Sequence, residues 1–508
     1  MICGLIAILA IPGAFAEVKL PAIIGSHMVL QTGQENPIWG WASPGEEVTV
    51  SIAGQEKSTK ADDQGNWKVT LDPIQSESPL TLKVSGKNTI ELKDILVGEV
   101  WVCSGQSNME WPVERSNDAE NEIKNADYPK IRLFQAQKAI AGLPQKDTTG
   151  EWKLCSPQSI PGFTAVGYFF GRELHKELDV PVGLIQSAWG GTPSESWTTK
   201  ESLAANEISV PIIERWDQVI ENYPQEIEGY KKQIDEWMKT SGEEEEAGKP
   251  VSGAPSVPRD PRANPHRYSG LYNGMIAPLI PYGIRGAIWY QGESNASRAY
   301  QYRTIFPMMI EDWRREWGQG DFPFYFVQLA NFREVFEEPR DNDWAELREA
   351  QTMTLDLPNT GMAVIIDIGE AGDIHPRNKQ DVGKRLALNA FAQIDGKDVT
   401  YSGPMFKSMK IEGGKATLSF DHVDGGLMAK SGGELKGFAI AGADKKFVWA
   451  NAKIEGDKVV VSSDEVKEPV AVRYAWDTNP VANLFNKAGL PASPFRTDDW
   501  PGVTDENR

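Results

Sequence analysis

Two regions of the chain show a one-by-one alternation of apolar and polar residues. Residues 17–95 contain the segments EEVTVSIAG, GNWKVTLDPI and LTLKVSG, separated by turn-forming residues. Beyond residue 396 the alternation returns in KATLSFDHVDGG, LKGFAIAG and DKVVVSS. A period of two predicts strands with one buried face. We therefore expect an N-terminal β-sandwich domain over residues 17–95 and a C-terminal β-rich region over residues 396–508.

Residues 96–395 have a different pattern, in which short apolar runs alternate with apolar stripes of helical period. The runs GEVWVC, VGLIQS, RGAIWY, FPFYFVQL and GMAVIID are typical of strands buried on both faces. Three stripes predict amphipathic helices, and their members are Val166, Phe170, Leu174 and Leu178; Phe306, Ile310, Trp313 and Trp317; and Val382, Leu386, Ala390 and Ile394. This alternation indicates an α/β domain built on a parallel sheet.

The segment 201–262, here called the insertion, interrupts that pattern. It carries a helical stripe from Trp216 to Trp237, followed by the Glu- and Pro-rich run SGEEEEAGKPVSGAPSVPRDP. Such a run is typical of a flexible, solvated excursion. A decoration of the surface is the favoured interpretation, and a cap beside the active site is the alternative.

The first sixteen residues, MICGLIAILAIPGAFA, form an apolar run that ends in a small-x-small pattern. This predicts a signal peptide cleaved near Ala16, with a mature chain that begins at Glu17 and is secreted or periplasmic. No later segment is apolar enough over sufficient length to predict a membrane span.

Composition narrows the classes of partner. The 508 residues include 52 basic and 72 acidic side chains, which gives a net charge of −20. This charge argues against a nucleic-acid surface and against attraction to anionic membranes. After cleavage only Cys103 and Cys155 remain, and both a disulfide and two buried thiols are open possibilities. No cluster has the spacing of a metal site, and no cofactor is predicted.

Unusual polar residues follow four of the five predicted strands of the α/β domain. These are the segments 104–108, 188–192, 291–295 and 368–376. Because ligand sites of open α/β sheets form outside the carboxyl ends of the strands, we expect the four segments to meet at one edge.

Acyl transfer needs a nucleophile, a base and a group that orients the base, and this edge offers all three. Ser107 lies in a strand-to-helix turn that exposes its hydroxyl, and His375 is the candidate base. Asp373 is the candidate orienting carboxylate. His27, His175 and His422 are predicted to be structural. His266 is expected at the surface, with a place in the lining of a cleft as the alternative.

The expected oxyanion donors are the backbone N–H of Ser107, an N–H of Gly190 or Gly191, and the side-chain amide of Asn295. For Asn295 a helix cap is the alternative role, and for the two glycines a simple turn. Glu293 is interpreted either as support for its loop or as a substrate contact, with support favoured. The chain lacks the GxSxG pattern of the α/β-hydrolase nucleophile elbow.

Four ordered blocks resemble the sialate O-acetylesterase family of the SGNH hydrolase superfamily: GQSNM at 105–109, SAWGGTPSESW at 187–197, WYQGESNA at 289–296 and DIHPRNKQDVGKRLA at 373–387. The resemblance implies a three-layer α/β/α, flavodoxin-like catalytic domain flanked by β modules. It also implies metal-free hydrolysis of acetyl esters on sugars. It assigns Ser107 as nucleophile, Gly191 or its neighbour and Asn295 as oxyanion donors, and His375 as base.

The acid that orients His375 is left open by this resemblance. The superfamily usually places its acid three residues before the histidine, and that position is Gly372 here. Asp373 is the best candidate, Asp367 and Glu370 are alternatives, and a Ser–His pair steered by a backbone carbonyl is a further one.

The expected substrate is O-acetylated sialic acid, whose carboxylate would need a cation such as Arg377, Arg298 or Arg267. Further candidate substrate contacts are Gln106, Gln291 and Glu293. The alternatives are an acetylesterase for plant or algal polysaccharide, which needs no cation, and a carbohydrate-binding protein without activity. The sequence does not predict the oligomeric state.

Overall fold

The computed structural model describes residues 17–507. The predicted signal peptide therefore lies outside the described residues. Seven strands come first, at Val29–Gln31 (β1), Asn36–Trp41 (β2), Glu47–Ile52 (β3), Gln55–Lys60 (β4), Asn66–Leu71 (β5), Leu80–Ser85 (β6) and Thr89–Gly105 (β7). β2 pairs with β5, while β4, β3, β6 and the first part of β7 form a second antiparallel sheet. Buried side chains alternate with more exposed ones along these strands, as in β3, which follows the predicted period of two.

The middle of the chain alternates helices and strands. Its elements are Ser107–Glu110 (α1), Ala119–Lys124 (α2), Tyr128–Gln135 (β8), Trp152–Cys155 (β9), Ala165–Leu178 (α3), Val182–Ala188 (β10), Lys200–Ala204 (α4), Val210–Glu246 (α5), Gly286–Tyr290 (β11), Ala299–Trp317 (α6), Phe324–Val327 (β12), Asp343–Met353 (α7), Thr360–Ala363 (β13) and Lys379–Gln393 (α8). The sheet order is β13-β12-β11-β7-β10-β8-β9. All neighbours in it are parallel except β8 and β9, so the predicted α/β class is confirmed.

Helices cover both faces of this sheet. On one face Trp101 of β7 meets Phe170 of α3 with ring centroids 4.9 Å apart. On the other face Trp289 of β11 stacks on Phe306 of α6 at 6.3 Å. The three predicted helical stripes lie in α3, α6 and α8, except that Ile394 follows the last residue of α8, and their side chains are buried or packed against the core. The result is the three-layer arrangement that the periodicity and the resemblance implied.

Strand β7 joins the N-terminal sheet to the central sheet without a break. It pairs with β6 and β1 through its first half and with β10 and β11 through its second half. The predicted domain boundary between residues 95 and 96 therefore falls inside a continuous strand, because one backbone serves two sheets. The strand predicted over GMAVIID is also shorter than expected, since β13 ends at Ala363.

The C-terminal part consists of ten short strands, at Met405–Glu412 (β14), Lys415–Asp421 (β15), Leu427–Ala429 (β16), Phe438–Ala441 (β17), Phe447–Trp449 (β18), Asn451–Glu455 (β19), Lys458–Ser462 (β20), Ala471–Tyr474 (β21), Leu484–Asn486 (β22) and Phe495–Arg496 (β23). They form antiparallel sheets β14-β15-β20-β19, β18-β17-β21-β23 and β16-β22. Arg348 of α7 is fully buried and donates to the carbonyl oxygens of Asp477 and Thr478, which ties this region to the central sheet.

The structure also bears on the cysteines, on membrane spans and on metal sites. Cys103 and Cys155 are both buried free thiols, and burial raises the pKa of each. Within residues 17–507, no helix combines the length and the apolar character that a membrane span requires. Within the same residues, no group of three His, Cys, Asp or Glu side chains is arranged to hold a metal ion.

Candidate active site

The nucleophile candidate lies where β7 ends against its neighbour β11. Gly105 adopts φ +135°, and a Cβ there would lie 2.2 Å from the carbonyl oxygen of Tyr290, so the close approach of the two strands requires glycine. The N–H of Gln106 donates to the same carbonyl at 3.0 Å. α1 then begins at Ser107, whose side chain is partly exposed.

Ser107 and His375 are in direct contact. The Oγ atom of Ser107 lies 2.8 Å from Nε2 of His375, although 268 positions separate them in the chain. This is the distance required for proton transfer from a nucleophile to its base. His375 keeps 27 % of its side chain exposed, so the pair is open to a substrate.

Asp373 is the carboxylate nearest to the other ring nitrogen of His375. Its Oδ1 atom lies 3.4 Å from Nδ1 and accepts the backbone N–H of His375 at 2.8 Å. Asp367 instead binds Arg385 through both oxygens and also contacts Lys430. Glu370 accepts the backbone N–H of Arg377. The geometry favours Asp373 as the orienting group over both alternatives.

The environment holds His375 in its neutral form. Burial lowers the pKa of its imidazole, the nearby Lys379 cation lowers that pKa further, and Asp373 opposes both effects. An imidazole with a pKa below its ordinary value of about 6.5 is unprotonated at neutral pH and available as a base.

Two backbone donors beside Ser107 remain without a protein acceptor in the described part of the chain: the N–H groups of Ser107 and Gly191. The N–H of Gly190 is different, since it donates to Oε2 of Glu110 at 2.7 Å. The prediction that Gly190 offers a free oxyanion donor is therefore not met in this structure, and Gly191 is the remaining candidate of the pair. Glu110 is itself paired with Lys138.

Asn295 lies deeper than expected. Its side chain is fully buried, its Nδ2 atom donates to Oε2 of Glu195 at 2.9 Å, and its Oδ1 atom accepts from Ser194 and Gln291. An amide held in this way joins the loops after β10 and β11. The contact with Glu195 uses one of the two N–H groups on Nδ2, so the role of Asn295 as an oxyanion donor stays a prediction.

Two candidate substrate contacts also support the loops. Gln106 is buried, and its Oε1 atom accepts the N–H groups of Gly292 and Ser294. Gln291 is fully buried between Tyr302, Asn295 and the carbonyl oxygen of Thr192. Protein groups thus satisfy both ends of the Gln291 amide, whereas the contacts of Gln106 with this loop are made through its Oε1 atom. Arg377 is exposed, two residues beyond His375.

A buried chain of polar groups beneath the Ser–His pair was missed by the sequence analysis. Lys379 donates to Oδ1 of Asn108 at 2.5 Å, and Asn108 donates to Oε1 of Glu293 at 2.6 Å and to the carbonyl oxygen of Ile374 at 3.0 Å. Burial lowers the pKa of Lys379 to about 7 and raises that of Glu293. The favoured interpretation of Glu293 as support agrees with this contact.

Trp111 packs on the base and was also missed. Its ring stacks on the imidazole of His375 with centroids 5.0 Å apart and an interplanar angle of 14°. The indole N–H donates to the carbonyl oxygen of Arg115, which fixes the ring. One face of His375 is thereby held, so its rotation away from Ser107 is restricted.

The insertion lines a cavity of about 1060 Å³ beside the pair. Arg215 and Trp216 of α5 form part of its wall, and Gly191 and Ser294 form another part. His266 is exposed, as expected, and it also lines the cavity, which was the alternative for this residue. The favoured interpretation of the insertion as a decoration is therefore corrected for the start of α5 and the residues after 258. The remainder of α5 is largely exposed, and Ile212 and Ile213 are its buried residues.

Comparison with known proteins agrees with this site. A family model described as carbohydrate esterase, sialic acid-specific acetylesterase, matches residues 97–230 and 262–392. The chain is 33 % identical to sialate O-acetylesterase of Mus musculus over 94 % of both chains. It is 31 % identical to that of Homo sapiens over 95 % of this chain and 94 % of the relative. A solved carbohydrate acetylesterase from Xanthomonas citri is 41 % identical, with a TM-score of 0.80 over 95 % of this chain and 100 % of that chain.

Lys379→Gln should move the pH dependence of ester hydrolysis. Glutamine still donates to Asn108 but carries no charge, so the imidazolium of His375 loses a repulsive neighbour and its pKa rises. Because the neutral base is the active form, the acid limb of kcat/KM toward 4-nitrophenyl acetate should shift to higher pH. Lys384→Gln, on an exposed position of the same helix, should keep the parent midpoint. An unshifted midpoint in Lys379→Gln would contradict the electrostatic effect.

Proposed function

The chain belongs to the sialic acid-specific acetylesterase family of carbohydrate esterases, and on that premise we propose that it releases acetate from O-acetylated sialic acid with Ser107 as nucleophile and His375 as base. It is a carboxylic ester hydrolase that acts on O-acetyl esters of sugars. The observation that carries the residue assignment is the 2.8 Å separation of Ser107 Oγ and His375 Nε2.

The reaction proceeds in two halves. Ser107 attacks the acetyl carbonyl carbon while its proton passes to Nε2 of His375, and a tetrahedral intermediate forms. The intermediate collapses as the ester C–O bond breaks, and His375 gives the proton to the departing sugar oxygen, which leaves as a hydroxyl. Water then attacks the acetyl-serine and gives a proton to His375, so that a second tetrahedral intermediate forms. When this intermediate collapses, the bond between Oγ of Ser107 and the acyl carbon breaks, His375 returns the proton to Oγ, and acetate leaves.

The backbone donors stabilise the negative charge of each tetrahedral intermediate. The N–H groups of Ser107 and Gly191 are the supported donors, because neither has a protein acceptor in the described residues. Removing one such donor commonly costs about 3–4 kcal/mol of transition-state stabilisation. Ser107 N–H also lies at the start of α1, where a partial positive charge favours an anion.

Asp373 is assigned as the positioning carboxylate for His375. Its contact with the backbone N–H fixes the loop, and its nearness to Nδ1 favours the tautomer with the proton on that nitrogen. Nε2 then carries the lone pair that faces Ser107. Asp373 also stabilises the imidazolium that forms during each half-reaction.

A second candidate substrate is an acetylated neutral glycan. The observation that favours it is the description of the Xanthomonas citri relative, which names a carbohydrate acetylesterase without restriction to sialic acid. Membership of an esterase family removes the alternative of a binding protein without activity.

We further infer that residues 1–16 are a signal peptide and that the mature chain is secreted or periplasmic. The support is the apolar run that precedes Ala14-Phe15-Ala16. N-terminal sequencing of protein recovered outside the cytoplasm should begin at Glu17. A chain that keeps Met1 and remains in the cytoplasm would contradict the inference.

Ser107→Ala should abolish acetate release from O-acetylated sialic acid. Loss of the nucleophile lowers kcat by at least about 10⁴-fold, while the thermal midpoint stays near that of the parent because the side chain is small and partly exposed. Acetate release and thermal unfolding are the two measurements. Ser297→Ala, an exposed serine after β11, is the matched control. Activity in folded Ser107→Ala equal to the parent would reject the assignment.

Asp373→Asn and Asp367→Asn should have different effects, the first on the positioning of His375 and the second on the stability of the fold. Asp373→Asn should lower kcat by about 10²- to 10⁴-fold with little change in thermal midpoint, because the imidazole loses its orienting charge. Asp367→Asn should lower the thermal midpoint and keep most of the turnover, since it weakens the buried pair with Arg385. The reverse pattern in kinetics and calorimetry would assign the orienting role to Asp367.

A further inference from the structure

A second cavity, here called the junction cavity, lies between the N-terminal β strands and the α/β domain. Its volume is about 910 Å³, and among the described residues it shares no lining side chain with the cavity beside Gly191. β2 and β5 form one part of its wall, and the start of α4 and the segment 272–281 form another part. This volume is within the range of cavities that bind small ligands.

Two tryptophans of β2 line the junction cavity. Trp39 and Trp41 are both partly exposed, and because alternate residues of a strand point to the same face, they form one row with positions about 6.6 Å apart. Within residues 17–507 neither ring stacks on another aromatic side chain, and neither indole N–H has a protein acceptor. Such rings present an apolar face and a polar N–H, which suit the apolar face and the hydroxyl groups of a sugar ring.

Two buried polar groups line the same cavity without a hydrogen-bond partner. Tyr272 is 3 % exposed, and its hydroxyl group has no partner in the described part of the chain. Trp67 of β5 is equally buried, and its indole N–H has no acceptor there either. Leaving a buried donor unpaired is costly, so each such group in a folded protein needs an explanation. The oxygen atoms of a bound sugar would supply the missing acceptors.

The charges on the lining of the junction cavity balance. Its ionised side chains are three lysines and three carboxylates, namely Lys60, Lys68, Lys146, Asp62, Glu201 and Glu316. A lining without net charge gives no general attraction for an anion or a cation. Polar groups among aromatic rings instead suit an uncharged ligand with many hydroxyl groups. The chemistry of the lining therefore favours a neutral sugar over an acidic one.

Hydrogen bonds hold the walls of the junction cavity in place. The backbone N–H of Gln145 donates to the carbonyl oxygen of Asn273 in the α/β domain at 2.8 Å. The next residue, Lys146, donates to Oδ1 of Asn66 in β5 at 3.0 Å. One loop is thereby bound to both parts of the wall. A cavity that is formed before the ligand arrives loses less conformational entropy when it binds.

We propose that the junction cavity is a carbohydrate-binding site, separate from the catalytic pair, in which a neutral oligosaccharide packs on Trp39 and Trp41 and accepts a hydrogen bond from Tyr272. The row formed by the two tryptophans suits an extended chain of sugar rings. A polysaccharide bound here would keep the enzyme attached to it between hydrolytic events. The site does not depend on which acetylated sugar the esterase cleaves, so its failure would leave the proposed function unaffected.

The test measures binding of unacetylated hexasaccharides to the full chain by isothermal titration calorimetry. Cellohexaose, xylohexaose and mannohexaose are the neutral probes, all of them β-1,4-linked and extended, and hexagalacturonic acid is the anionic comparison. At least one neutral probe should bind, and hexagalacturonic acid should bind more weakly than that probe. Absence of binding by all three neutral probes overturns the inference, and so does tighter binding of hexagalacturonic acid.

Variants of the lining should weaken binding of that neutral probe. Trp39→Ala and Trp41→Ala should each raise its Kd about 10-fold, the usual effect of losing an aromatic contact. Tyr272→Phe should raise the Kd by about 2- to 10-fold, as expected for one hydrogen bond, with a thermal midpoint near the parent because the hydroxyl has no protein partner. Hydrolysis of 4-nitrophenyl acetate should keep the parent rate in all three, since the catalytic pair is not part of this lining.

Two further tryptophan variants locate the bound probe. Trp449→Ala removes an exposed tryptophan of the C-terminal strands and should keep the parent affinity. Trp216→Ala removes a ring from the cavity beside Gly191 and should also keep it. Affinity that falls in Trp216→Ala but survives in folded Trp39→Ala, Trp41→Ala and Tyr272→Phe would assign the sugar to the catalytic cavity and overturn the inference. An equal loss in Trp449→Ala would overturn it as well.

Discussion

The contact between the Ser107 hydroxyl and the His375 imidazole depends on parallel strand order more than on any local feature. β7 lies in the middle of the central sheet and β13 at its edge, with β11 and β12 between them. Parallel strands bring all their following loops to one edge, so a loop that starts at the sheet margin reaches back to the centre. Gly105 permits the close approach of β7 and β11, and Trp111 holds the imidazole in place.

Buried amides and charges maintain that contact. Gln106, Gln291 and Asn295 satisfy backbone and side-chain groups of neighbouring loops, which keeps the catalytic turns in one arrangement. Asn108 connects Lys379 to Glu293 and to the loop that carries His375. Burial of such groups is costly unless each finds a partner, and a fully connected network specifies a unique geometry. The same network places a cation near the base and so adjusts its pKa.

The insertion contributes both a solvated surface and part of the cavity wall. Its long helix is largely exposed, and its Glu-rich end has the composition of a solvated surface. Its first turns nevertheless bring arginine and tryptophan to the cavity beside the nucleophile. Net charge describes the whole molecule, whereas recognition depends on the few groups within a screening length of the ligand.

The sequence by itself determined the element types, because periods of two and near four record which faces are buried. It also pointed to Ser107, His375 and Asp373 as candidates, since polar segments that follow buried strands are a local signal, and the fold brings these three side chains together. Tertiary structure alone decided which polar groups meet: Gly190 gives its N–H to Glu110, 80 positions away, and Asn295 gives one amide N–H to Glu195, 100 positions away. It likewise decided that β7 runs on from one sheet into the next, that Asp367 pairs with Arg385, and which side chains line the cavity. Hydrogen-bond partners distant in the chain leave no periodic trace, so only the folded arrangement reveals which polar groups are already satisfied.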